Sequence, residues 1–183
     1  MIDSKQATEA LADIDDTVRR LRQSLIYRFT STIMLMWGVL VLAGNIAGWL
    51  WPRYGLYFWI AVYVLATAGL FAISARNYAQ SRIRTFDRRY MLTFLFIISF
   101  GIFCCVFGQF SPRQQSTFWP VYIMLFYMIA GAWFGYAFIV IGASIIALTL
   151  FGYVYIPGPT FLLWMAVVNG GGLFVGGLWM RRV

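Results

Sequence analysis

The chain has 183 residues, of which 62% are apolar and only 11% charged, with a formal net charge of +8 and no histidine. Soluble domains run at about 45–50% apolar and about 25% charged, and a chain this short has too little interior to hide so much apolar surface from water. A soluble globular domain is therefore excluded. So is a disulfide framework, because Cys104 and Cys105 are adjacent in an apolar run and neighbouring side chains on a helix diverge.

The chain opens with a polar segment, residues 1–28, that carries a heptad seam. Ala7, Leu11, Ile14, Val18, Leu21 and Leu25 repeat at alternating spacings of four and three, the pattern that sets one apolar stripe along a helix. This predicts a cytosolic amphipathic helix whose seam pairs with a second copy, meets a cytosolic partner, or lies on the bilayer. The acids Asp3, Glu9, Asp13, Asp15 and Asp16 lead, and Arg19, Arg20, Arg22 and Arg28 follow nearer the first apolar run. Those arginines suit anionic lipid headgroups.

That first run begins near Phe29 and is long enough to span, which makes it an uncleaved first span rather than a removable leader. A spanning helix needs about 20 mostly apolar residues, and the runs at about 29–51, 55–75, 90–110 and 160–180 meet that requirement. The stretch 118–156 would be about 57 Å long as one helix, nearly twice the hydrocarbon thickness of about 30 Å. It must divide, and the expected spans are 118–134 and 138–156 with a turn near Gly135. The total is six. Barrel strands would alternate apolar and polar residues, which these runs do not.

The basic residues test the count. With the N-terminus inside, twelve of the fourteen lysines and arginines fall on inner segments and only Arg53 and Arg113 fall outside, as the excess of positive charge in cytoplasmic loops requires. The expected architecture is all-α: residues 29–183 form a polytopic membrane domain of six transmembrane helices, arranged as three antiparallel hairpins with both termini cytoplasmic. It is preceded by the cytosolic amphipathic helix 1–28. A bacterial-type inner (plasma) membrane is the expected location. The inner loop adds Arg82, Arg84, Arg88 and Arg89 as further headgroup candidates. Nucleic-acid binding is not expected, because this charge hugs the membrane instead of forming a separate basic domain.

A weak repeat supports the hairpins. Pro52, Pro112 and Pro157 are each followed seven residues later by a tryptophan, Trp59, Trp119 and Trp164. Prolines breaking helices in loops and tryptophans crowding interfaces produce the same pattern without any repeat.

The glycine-rich stretch Val168–Arg182 lacks the spacing of a dinucleotide fingerprint or a P-loop, since Val175 stands where a glycine is needed and Leu178 follows Gly177. Close helix packing explains it better. Gly172–Gly176, Gly44–Gly48 and Gly131–Gly135 each form G-x-x-x-G, which lets two helix backbones approach. Asn169 shares the face of Gly172 and Gly176, and Asn45 adjoins Gly44. These amides should face protein or a small cavity, because exposing them to lipid is costly. The alternative is a solute path lined by a broken helix.

No acid, base or histidine lies at mid-membrane depth in the sequence, and no set of metal ligands or acid–base pair converges in the spans. The expected function is therefore non-enzymatic and without a cofactor or metal. Such a protein acts through helix contacts as a subunit, scaffold or regulator, with residues 7–25 pairing with a second copy or with a cytosolic partner. A small transporter or channel for a neutral or apolar solute is the alternative.

Overall fold

A computed structural model describes residues 4–81 and 88–182, and it is helical throughout, with no strand among the described residues. The helices are α1 (Ser4–Leu50), α2 (Gly55–Ser81), α3 (Arg88–Phe107), α4 (Pro112–Phe134), α5 (Tyr136–Tyr155), α6 (Thr160–Met165) and α7 (Gly172–Met180). A π-helical segment, Ala166–Gly171, joins α6 to α7 into one continuous rod.

Among the described residues, five helical stretches are long and apolar enough to cross a membrane: Gln23–Leu50, Pro52–Arg76, Pro112–Phe134, Tyr136–Tyr155 and Thr160–Met180. Where a third span is expected over 90–110, α3 covers Arg88–Phe107 and stops ahead of residue 110. Its end has a local cause. Gln109 takes a left-handed conformation (φ 49°), while Gly108 N–H donates to the Cys104 carbonyl and Phe110 N–H to that of Cys105. This closes the helix in a Schellman-type turn.

Two further differences from the sequence expectation concern α1 and α4. No break separates an amphipathic helix from a first span: α1 runs unbroken for 47 residues, about 70 Å. The composition changes near Phe29, but no proline or glycine precedes Gly38 to stop the helix. α4 starts at Pro112, ahead of the expected 118, because Ser111 and Gln114 form a reciprocal capping box and Pro112 occupies the first turn.

α1 and the rod 160–180 run antiparallel, with Ser31 against Gly177 and Gly48 near Leu162, and Arg113 joins the start of α4 to the end of α5. Two rods, α1 and α6–α7, lie against each other, and α5 lies against α7 while α4 folds back on α5. Tyr27, Met34, Phe138, Ile141, Ile145 and Leu173 fill the space between them. α2 flanks α1, with Val62 against Gly44 and Trp37 edge-on to Tyr63. α3 touches the bundle mainly through α4, where Gly101 underlies Trp119 and the Tyr122 hydroxyl donates to the Ile97 carbonyl at 3.0 Å. The tightest pairings are thus α4 with α5 and α1 with α6–α7, which run between the expected hairpins.

The outward surface is apolar. Phe96, Val106 and Phe107 on α3 and Leu56 and Val64 on α2 are among many large exposed hydrophobics. Water does not tolerate a continuous apolar surface of this extent, which is compatible with an integral membrane protein.

Candidate functional site: a glycine-lined helix junction

The most closely packed region is the junction of α1 with the rod 160–180. A Cβ added at Gly170 would lie 2.6 Å from the Leu42 amide nitrogen, and one at Gly38 would lie 2.8 Å from that of Phe174 and 2.9 Å from the Gly170 carbonyl. These obstacles are backbone atoms that cannot rotate away. Only glycine permits this separation of the axes. Gly177, seven residues beyond Gly170 and so on the same face, meets the Ser31 carbonyl and Leu35 of α1.

The motif glycines Gly172 and Gly176 face a different partner, α5, where Ile145 packs against Gly172 and Ile141 against Gly176, with Met34 of α1 also reaching Gly176. Successive glycines on one rod therefore serve two contacts at once. Gly44 and Gly48 also divide, with Val62 of α2 over Gly44 and Leu162 of α6 at the edge of contact with Gly48. Gly131 and Gly135 do not form a helix-packing pair. Gly135 (φ 128°, ψ 158°) is the single-residue break between α4 and α5, and its Cα faces the Tyr27 hydroxyl and Gln23 of α1. Gly131 lies under Ile139 of the returning helix, and Gly142 lies close to the Met124 carbonyl.

Both asparagines are buried but do not meet a shared cavity. Asn45 Nδ2 donates to the Val41 carbonyl of its own helix at 2.9 Å. Asn169 sits in the π segment and turns toward α5, where its Nδ2 reaches Thr149 Oγ1 at 3.5 Å and Met165 Sδ at 3.4 Å. The contact with Thr149 is long, although Thr149 is fully buried and Asn169 almost so. Two clefts lie elsewhere. One of about 500 Å³ is lined by Cys105, Gln109, Gln115 and Trp119 at the turn between α3 and α4. Another, of about 460 Å³, is lined by Gln23, Trp133 and Gly135 at the turn between α4 and α5.

Two polar arrangements carry no signal that sequence reasoning used. At the proline-turn end, Arg113 Nη2 donates to the Tyr153 and Ile156 carbonyls at 2.8 and 2.7 Å, and its guanidinium lies over the rings of Tyr153 and Phe161. A cation here satisfies the last carbonyls of α5 and complements its dipole. At the opposite end, the buried Ser31 hydroxyl donates to the Gly177 carbonyl at 2.6 Å and accepts from Arg181 Nε at 3.0 Å, while Arg181 Nη2 reaches Thr32 Oγ1 at 3.5 Å. Charge counting placed these arginines on two sides but could not supply their partners.

Of the expected headgroup arginines, Arg82 and Arg84 lie outside the described residues, as do the side chains of Arg19, Arg20, Arg22, Arg88 and Arg89. Of the heptad seam, Ile14 and Leu25 are described, and both are more than half exposed. The Pro–Trp repeat has a partial counterpart in packing: Trp119 of α4 covers Gly101 of α3, and Trp164 of α6 covers Gly152 of α5. Trp59 instead contacts Tyr63 of its own helix. No family model, curated protein or solved structure matches the chain.

Proposed function

We propose that this is a non-enzymatic integral membrane protein that presents a rigid cytosolic arm and acts through helix contacts, as a subunit, scaffold or regulator. In this reading α3 also crosses, giving six spans in three hairpins with both termini cytoplasmic in a bacterial-type plasma membrane. The carrying observation is the continuity of α1. The helix that bears the heptad seam is the same helix whose Ser31, Met34, Gly38 and Asn45 are buried in the bundle. Residues 4–22 extend about 28 Å beyond Gln23, where contacts with the α4–α5 turn begin. An arm without an intervening hinge transmits its orientation to the bundle, and its exposed Ile14 and Leu25 suit a partner helix or a second copy.

Co-purification of the intact chain tests this. A stoichiometric cytosolic partner, or a defined oligomer, should be recovered and then lost when residues 1–22 are deleted. A chain that remains monomeric and partnerless with the arm intact would refute it. Reporter fusions should place Met1 and Val183 on the same side.

The π segment favours a second reading, because such distortions recur at functional sites and this one carries the buried Asn169 amide, whose reach to Thr149 on α5 is a long 3.5 Å. A small neutral solute passing beside it would be blocked by Asn169→Leu in liposome flux, with the fold retained.

A further inference from the structure

The inner end of the α1–α7 contact holds cationic groups with no acid beside them among the described residues. Arg181 is fixed by Ser31 and Thr32, which are neutral hydroxyls. Arg28 stands one turn before Thr32 on the same face of α1 and is exposed, with its carbonyl accepting from Thr32 Oγ1 at 3.1 Å. The Cβ atoms of residues at this spacing are about 5–6 Å apart, so the Arg28 side chain springs from beside the threonine that Arg181 contacts, and the exposed Arg182 follows directly. Five of the six acids stand at or before Asp16, about 18 Å or more along the helix from Arg28. The sixth, Asp87, lies outside the described residues.

From this cluster an apolar strip runs toward the middle of the bundle. On α1 it continues through Val39 and Leu42, and on the facing rod through Leu178 and Phe174, all of them exposed. Arg181, Leu178 and Phe174 recur at helical spacing, as do Thr32, Val39 and Leu42. The strip is about 15 Å long. Gly38 and Gly177 hold the two helices together along it.

We infer that this end of the molecule is a binding site for an anionic phospholipid. The phosphodiester lies between Arg28, Thr32 and Arg181, and an acyl chain lies along Val39, Leu42, Phe174 and Leu178. Guanidiniums bind phosphate oxygens through paired N–H groups, and basic pockets between helices near the membrane surface recognise such headgroups. The pre-positioning of Arg181 by Ser31 distinguishes this site from diffuse surface charge, and the strip distinguishes a lipid from a soluble phosphate. The inference rests on the membrane reading but not on the existence of a protein partner.

The full-length chain, purified in neutral detergent, should gain thermal stability on titration with phosphatidylglycerol and much less with phosphatidylcholine. Each site arginine near the surface contributes a factor of about five in apparent affinity. R28Q should therefore weaken the phosphatidylglycerol response about fivefold and R28Q/R181Q about 25-fold. R53Q removes a charge at the Pro52 turn, where Arg53 is exposed, and should change the response little. R28Q alone decides if the double variant does not fold, because Arg28 is exposed and does not hold the bundle. Equal responses to the two lipids, a loss in R53Q equal to that in R28Q, or the same stabilisation by inorganic phosphate would overturn the assignment. None of these results bears on whether deleting the arm abolishes co-purification.

Discussion

Replacing Gly170 by alanine should force α1 away from the rod that carries the π segment, and the size of the effect follows from what the new methyl meets. It would lie 2.6 Å from the Leu42 amide nitrogen and 2.7 Å from Leu42 Cα, roughly 1 Å inside the 3.5–4.0 Å optimum for non-bonded contact. Because both obstacles are backbone, relief requires a shift of the whole helix, which would loosen Gly38 from Phe174 and Gly177 from Leu35 as well. Overpacking of this kind costs about 1–3 kcal/mol, and alanine's helix preference over glycine returns at most about 1 kcal/mol. The net destabilisation is then up to about 2 kcal/mol. Gly171 provides the internal control, since a Cβ there has nothing within 4 Å. Gly171→Ala should gain up to about 1 kcal/mol. These two variants have identical composition and share the same gain in helix preference, so they should differ by the overpacking cost of about 1–3 kcal/mol, on the order of 2–12 °C in midpoint for a chain of this length. Heating in one detergent, followed by size-exclusion recovery of the monodisperse species, measures the gap. Equal midpoints, or a less stable Gly171→Ala, would refute the close contact between α1 and the rod.

Three further outcomes follow from the same geometry. Gly135→Ala places a side chain in a backbone region used almost only by glycine and drives it toward Tyr27 and Gln23; strain of about 1–3 kcal/mol plus this collision should lower the midpoint more than Gly170→Ala does. Arg113→Ala should cost about 2–3 kcal/mol, the scale of hydrogen bonds from a charged donor, and Arg113→Lys should recover only part of it, because an ammonium lacks the planar face stacked between Tyr153 and Phe161; thermal unfolding of the pair reads this out. A double-mutant cycle of Asn169→Leu with Thr149→Val should give a coupling no larger than about 0.6 kcal/mol, the average for side-chain hydrogen bonds between membrane helices, because the contact is 3.5 Å long.

Length and hydropathy were enough to require a division of 118–156, and the break falls on Gly135, inside the expected turn. Hydropathy could not find the end of α3, because FCCVFGQF is apolar enough to continue and the helix stops through the left-handed backbone of Gln109. The continuity of α1 was present in the sequence as an absence of breakers before Gly38, but the composition change near Phe29 suggested a boundary that backbone hydrogen bonding does not require. The glycine motifs signalled close packing without naming partners. A spacing of four places Gly172 and Gly176 on one face, while the contact with α1 uses Gly38, Gly170 and Gly177, of which Gly38 belongs to no such motif. The partners of Arg113, Ser31 and Arg181 lie 40 or more residues away in the chain, so no local pattern announces them.

The distribution of these contacts has a consequence for how the molecule works. Lipid is as apolar as leucine, so helices in a bilayer gain little merely by covering each other's hydrophobic side chains, and they associate where small residues or polar bonds let them. In this chain the small-residue and backbone-to-backbone approaches concentrate on α1, α4–α5 and the rod 160–180, while α2 and α3 each keep broad faces of exposed aromatic and branched side chains. α1 belongs to the tight group over most of its buried length. It meets the α4–α5 turn at Gln23 and Tyr27, the rod end at Ser31, and the rod centre at Gly38 and Leu42. A force on the arm is therefore delivered to three contacts in the tightly packed part of the bundle, against which α3 rests through α4. Reorientation of the arm should accordingly be felt first at the Gly135 turn and the Arg181 end. The headgroup site and the arm then share one lever, and lipid held between Arg28 and Arg181 would stiffen the base of the helix on which any partner docks.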